Sequence, residues 1–158
     1  MPKLRMLVGL PCVGKSTWIE NQKFEDVAIV STDKHIDEYA KSIGQTYNDV
    51  FPYYYNEAKK LMDAEIALAV ENKKDIVWDQ TNLTIASRSS KLLQIPSDYV
   101  KIAVVFKPIQ EKKYNKLLKQ RKGKIISQRV ILMMKESYEE PKISEGFDCI
   151  QWVEEWTK

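Results

Sequence analysis

Leu4-Arg5-Met6-Leu7-Val8-Gly9-Leu10-Pro11-Cys12-Val13-Gly14-Lys15-Ser16-Thr17 decides the reading of this chain. A short apolar run, Leu4 to Val8, opens directly into Gly9 to Thr17, which fits the phosphate-loop pattern GxxxxGK(S/T) in full. The chemistry explains the spacing. Gly9 and Gly14 let the backbone bend through Pro11, Cys12 and Val13 around a polyphosphate, so that several N–H groups point at its oxygens. Lys15 then reaches the β- and γ-phosphates, the Ser16 hydroxyl ligates Mg²⁺, and Thr17 completes the pattern. A strand before the loop and an amphipathic stretch after it distinguish this from a chance glycine-lysine turn. A nucleoside triphosphate is the expected ligand.

Outward from the loop, apolar runs alternate with longer helical patterns, which predicts βαβ repetition and an α/β fold around a parallel sheet of about five strands. Strands are expected at Leu4 to Val8, Val27 to Val30, Asp75 to Trp78, Val100 to Phe106 and Cys149 to Val153. Helices are expected from Ser16 to about Lys23, from Pro52 to Asn72, from Thr84 to Gln94, from Gln110 to Arg121, and from a cap at Ser127 to Tyr138. In the long helix, Ala58, Leu61, Met62, Ile66, Leu68 and Ala69 recur at helical spacing, with Pro52 placed in its first turn. The stretch up to Asn48 reads as helical or irregular. Such a chain predicts the three-layer sandwich of the P-loop NTPases, here as a single domain, 1–158.

At 158 residues, with 44% hydrophobic and 30% charged residues, the chain suits one globular core. No apolar run approaches the roughly 20 residues a bilayer span requires, and the first strand follows Met1 too closely for a signal peptide. Two cysteines, Cys12 and Cys149, are too few for a disulfide framework or a zinc site, and a bridge at Cys12 would obstruct the phosphate. Free thiols and a cytoplasmic location are expected. The net charge of +3 is small, but basic residues crowd 101–129, where Glu111 is the lone acid. That stripe suits a polyanion-binding surface and suits a solvated helix face equally well.

In an open parallel sheet the ligand sits beyond the carboxyl ends of the strands. The second strand ends Ser31-Thr32-Asp33. Asp33 is placed to take a proton from an attacking hydroxyl and to help hold the metal through water, although an aspartate here can also be a helix cap. The third strand ends Asp79-Gln80-Thr81-Asn82. Asp79 is expected near Mg²⁺ and Ser16, while Thr81 and Asn82 either orient substrate or cap the following helix.

Arg121-Lys122-Gly123-Lys124 breaks two helices and reads as a short helical lid over the nucleotide. Arg121 is the expected phosphate-bridging cation, because a planar guanidinium spans phosphate oxygens. Arg129 is a second nucleotide-gripping residue, and Lys122 and Lys124 are expected to be solvated. His35, the only histidine, is not expected in catalysis. Among Phe51-Pro52-Tyr53-Tyr54-Tyr55, consecutive helical rings face different ways, so not all the tyrosines are core; the window reads as ordinary packing at a helix start or as offering one ring to stack a base of a single-stranded end. Trp78, Trp152 and Trp156 read as core or terminal packing.

These residues together resemble a known family. The loop GLPCVGKST, the strand end at Asp33, DQTN at 79–82 and the basic lid are similar to the kinase domain of polynucleotide 5′-hydroxyl kinases. Glu140-Pro141 followed by Ser144-Glu145-Gly146-Phe147 resembles the EAP…EGF close of the same domain. The resemblance covers Leu4 to about Val153. It implies transfer of the ATP γ-phosphate, with Mg²⁺, to the 5′-hydroxyl of a DNA or RNA end. Lys15 and Ser16 would hold phosphates and metal, Asp33 would activate the hydroxyl, and Arg121 is the nearest match to the lid arginine. One position departs: where the family carries an arginine three residues after the catalytic aspartate, gripping the substrate phosphate, this chain has Ile36. The residues alone also accommodate a kinase of a small hydroxylated substrate, such as a nucleoside, nucleotide or antibiotic. A nucleotide-binding module without kinase activity would not need Asp33.

Overall fold

A computed structural model of the chain describes residues 1–154; Trp156 lies outside the described residues. Five strands, β1 (Lys3–Val8), β2 (Val27–Val30), β3 (Asp75–Trp78), β4 (Val100–Phe106) and β5 (Cys149–Val153), form one sheet in the order β2-β3-β1-β4-β5. Every pairing is parallel. β1 lies at the centre, hydrogen-bonded on both edges, and its residues from Met6 to Val8 are buried. A strand covered on both faces needs a near-continuous apolar run, which is what Met6-Leu7-Val8 supplies.

The described residues form six α-helices, α1 (Lys15–Gln22), α2 (Thr32–Ser42), α3 (Tyr47–Glu71), α4 (Ile85–Leu92), α5 (Glu111–Lys119) and α6 (Gln128–Ser137), of which all but α2 contribute to the two cores against the sheet. Alternation along the strands divides the core. Leu4, Met6, Val8, Ile76, Trp78, Ala103 and Val105 face Met62, Ile66 and Ala69 of α3 and Leu92 of α4. Leu7, Val77, Val104 and Phe106 face Trp18 of α1, Tyr114 and Leu118 of α5, and Ile131 of α6. The result is the three-layer α/β sandwich with a five-stranded parallel sheet. Among the described residues no helix is long and apolar enough to cross a membrane.

The structure decides one segment that the sequence left as helical or irregular, and it departs from the expectation in another. Residues 32–42 are a regular helix, capped by Ser31, whose hydroxyl accepts from the Lys34 N–H at 3.0 Å. α3 begins at Tyr47, five residues ahead of Pro52, because Thr46 and Asp49 form a reciprocal capping box. Pro52 therefore sits in the second turn, where it has no N–H to offer the carbonyl one turn back. Ile36 and Ala40 of α2 pack on Val50 and Ala58 of α3, so the early start of α3 has its own small core.

Candidate active site

A cleft of about 620 Å³ opens at the carboxyl ends of β1, β2 and β3. Its floor is the loop from β1 to α1. Gly14 takes φ +99° and Cys12 takes φ +63°, so the chain curls before entering α1. Cys12 occupies a region that costs a side-chain-bearing residue free energy, of the kind held at ligand clamps. The Gly9 N–H donates to the Thr81 carbonyl at 3.0 Å, tying the start of the loop to the end of β3. Lys15 Nζ donates to the Gly9 carbonyl at 2.8 Å. Burial lowers the Lys15 ammonium to about 8, while Asp79 and Asp33 pull it back toward the charged form.

Pro11, Cys12, Gly14, Lys15, Ser16 and Thr17 line the cleft, together with Asp33, Asp79, Thr81 and Arg121. Gly9 and Val13 are buried beneath it and shape the loop from below. The Asp79 carboxyl is pushed up by burial and by the charge of Asp33, with Lys15 opposing. Two carboxylates that face one cleft and repel each other, beside the Ser16 hydroxyl, are the hard oxygen donors that suit Mg²⁺ shared with phosphate oxygens. Among the described residues no three His, Cys, Asp or Glu side chains cluster closely enough to hold a metal by themselves.

Asp33 is not a helix cap, since Ser31 has that position. Its carboxylate, half exposed to the cleft, accepts a 2.7 Å hydrogen bond from the Tyr47 hydroxyl at Oδ1. Its Oδ2 lies 3.5 Å from Lys124 Nζ. Lys124 also pairs with Asp37 Oδ2 at 3.1 Å and stands 4.5 Å from the centre of the Tyr47 ring. The expected solvation of Lys124 is thus corrected: two carboxylates on successive turns of α2 and an aromatic face draw it inward. The lid is clasped to α3 as well. The Asn48 side chain donates to the Ile125 carbonyl at 3.1 Å and accepts from the Ile125 N–H at 2.7 Å. The Asn48 backbone N–H, one of the free donors at a helix start, gives to the Gly123 carbonyl at 3.0 Å.

Two expected site residues lie elsewhere. Asn82 is buried, donating to the Leu7 carbonyl at 2.7 Å and accepting from Lys91 Nζ, so it is turned into the fold and does not line the cleft. Its own carbonyl accepts from Arg88 Nη1 at 2.9 Å, and Arg88 forms a bidentate pair with Glu145 at 2.7 and 3.1 Å. Phe147 is buried in the core. The Glu145-Gly146-Phe147 close therefore holds the Asp79–Asn82 loop in place from behind. Arg129 is exposed and outside the cleft, because the α6 face turned toward it carries Val130 and Met134. Of the basic stripe at 101–129, Arg121 and Lys124 line the cleft. Its α5 lysines Lys112, Lys113 and Lys116 do not.

Residues not expected from sequence are Asp37, Tyr47, Asn48 and Gln80. Gln80 accepts from the Trp78 indole N–H at 3.0 Å and donates to Thr32 at 3.1 Å, joining the ends of β3 and β2. Asp37 left a trace in the sequence as an acid one helical turn beyond Asp33, and Gln80 as a member of the polar end of the third strand. His35 pairs with Glu65 and is absent from the cleft lining.

Several solved structures share the fold. A putative kinase from Chloroflexus aurantiacus J-10-fl superposes with TM-score 0.68 at 12% identity, over 97% of this chain and 85% of that one. A gluconokinase from Sinorhizobium meliloti 1021 gives 0.56 at 16%, over 99% and 85%. A chain of the Pnkp1/Rnl/Hen1 RNA repair complex gives 0.62 at 23%, over 87% of this chain and 46% of that one. This protein thus corresponds to under half of the length of that repair-complex chain. At such identities the likeness concerns the fold alone. The family model described as an AAA domain, AAA_33, matches residues 4–141, and the chain belongs to that family.

Proposed function

We propose that the protein is an ATP-dependent kinase that transfers the γ-phosphate to the 5′-hydroxyl end of a polynucleotide. The observation that carries phosphoryl transfer is the placement of Asp33 across one cleft from Lys15 and Ser16. A hydroxyl entering between them loses its proton to Asp33 as its oxygen bonds the γ-phosphorus. The bond from that phosphorus to the β–γ bridging oxygen breaks, ADP leaves, and Asp33 returns the proton to solvent. Ser16 and Asp79, with Asp33, would hold Mg²⁺, which when bound neutralises charge on the phosphate oxygens. Arg121 faces the same space, and Ile125, Ile126, Val130 and Met134 offer an apolar wall for the nucleotide base.

Two observations support a polynucleotide as acceptor. The Pnkp1 likeness is one. The other is an aromatic row, Tyr47, Phe51 and Tyr55, with centroids 5.6 and 5.4 Å apart along one face of α3. It runs outward from Asp33, and bases of a single strand stack on such rows. One observation favours a small hydroxylated acceptor instead: Ile36 is fully buried, so that position gives no cation to a substrate phosphate, and the acidic Asp37 faces the cleft beside Asp33.

The deciding experiment offers a 5′-hydroxyl oligonucleotide, a 3′-nucleoside monophosphate and free nucleosides side by side with γ-labelled ATP. Labelled oligonucleotide is the expected product. Label confined to nucleosides would replace this reading with the small-acceptor one.

A further inference from the structure

We infer that Tyr47 is the positioning residue of the acceptor carboxylate, fixing which oxygen of Asp33 receives the proton. The inference rests on the reading of Asp33 as the proton acceptor. A carboxylate on the first turn of α2, half exposed, would ordinarily sample several rotamers. Here the Tyr47 hydroxyl donates to Oδ1 at 2.7 Å and occupies that oxygen. Oδ2 is left outside that bond, with Lys124 Nζ at 3.5 Å.

Tyr47 is itself fixed. It is the first residue of α3, immediately after the cap Thr46, whose hydroxyl and backbone N–H are both bonded to Asp49. Its ring is covered on one side by Lys124, at 4.5 Å from the centroid, and leans on Phe51 at 5.6 Å. The hydrogen bond spans 14 positions of sequence and joins two helices, so the orientation of Asp33 depends on α3 being docked. Asn48, the next residue, holds the lid backbone at Ile125. The start of α3 thus brings the acceptor carboxylate and the closed lid into one arrangement.

The test is Tyr47→Phe, which removes the hydroxyl and keeps the ring under Lys124. ADP release is followed with Mg-ATP, using a 5′-hydroxyl oligonucleotide and, separately, water as acceptor, so the test does not depend on the polynucleotide reading. Loss of a hydrogen bond to a charged group predicts a fall in kcat of about 10- to 100-fold, with KM for ATP unchanged, since Tyr47 touches no part of the phosphate loop. Combined with Asp33→Ala, Tyr47→Phe should add almost nothing, because a residue acting through Asp33 has nothing left to position. Full kcat in Tyr47→Phe beside an inactive Asp33→Ala overturns the inference and leaves the kinase reading standing. Additive losses overturn it too, assigning Tyr47 an independent role. A fully active Asp33→Ala removes the proton acceptor itself and takes both readings with it. A thermal midpoint measured for each variant separates a loss of kcat from a loss of folded protein.

Discussion

One wall of the cleft, to which we assign the nucleotide, is a main-chain loop strung between a central buried strand and a helix. The other, the proposed acceptor wall, is made of the side chains of Asp33, Tyr47 and Lys124, which hold one another. The first arrangement is anchored to the deepest part of the sheet: Gly9 to the Thr81 carbonyl, Asn82 to the Leu7 carbonyl, and Arg88 with Glu145 behind both. The second has contacts that are partly exposed and come from α2, the start of α3 and the lid. Phosphate binding is common to many substrates and is served by a rigid cradle. Acceptor choice and closure need parts that can move, which are drawn from the less stable end of a structure.

The most disruptive way to break this contrast is Arg88→Ala. Arg88 is fully buried and Glu145 nearly so, so removing one partner strands a buried charge. A loss of about 3–5 kcal/mol of folding stability is expected, read from urea unfolding. A loss below about 1 kcal/mol, the range of exposed pairs, would mean that the anchoring behind the nucleotide wall is dispensable.

Asp33→Ala acts on the other wall alone. Transfer should fall by about 10²- to 10⁴-fold, the usual contribution of a general base, while ATP binding followed by calorimetry persists. If ATP binding is lost to the same degree, the two walls are not separable.

Gly123→Ala tests the lid. Gly123 has φ +68°, and a Cβ there would meet Thr46 Cβ at 2.9 Å. The clash falls on the clasp between the lid and α3, so about 1–3 kcal/mol of strain should favour the open lid. Faster amide exchange in residues 121–127, with the sheet amides unchanged, is the expected signature. Uniform exchange would show the lid and sheet to be one cooperative unit.

The smallest effect concerns Lys15 and ATP. Burial lowers the free lysine to about 8, whereas a bound triphosphate favours the ammonium. Above pH 8 the lysine must therefore gain a proton on binding, and ATP affinity should weaken by up to about tenfold per unit of pH. Calorimetry at pH 9 in buffers of different ionisation enthalpy should report proton uptake, and at pH 7 almost none from this group. Uptake that is equal at both pH values would place the effect outside Lys15.

The strands and the phosphate loop were legible in the sequence because both are specified locally. Val27 to Val30, Asp75 to Trp78, Val100 to Phe106 and Cys149 to Val153 coincide with the observed strands. The start of α3 was not, because Pro52 is a strong helix-start signal in a linear reading, and the Thr46–Asp49 box that overrides it draws support from Gly123 and Ile125, over 70 positions away. Asn82 and Arg129 failed for a reason of phase. Asp79 to Asn82 are four polar residues after a strand, and which of them turns inward depends on the positive φ of Asn82 and on Arg88 behind it. On α6 a rotation of one residue exchanges Arg129 for Val130.

Sequence by itself determined that this chain folds as a parallel α/β sandwich and where a polyphosphate-binding loop lies in it, since a glycine-bounded bend after a buried strand needs only near neighbours. Tertiary structure alone decided that Tyr47 and Lys124 converge on Asp33, and that Glu145 supports the third strand end from behind. Those contacts join residues 14 to 91 positions apart, and no local pattern encodes which distant side chains a packed fold will bring into contact with one another.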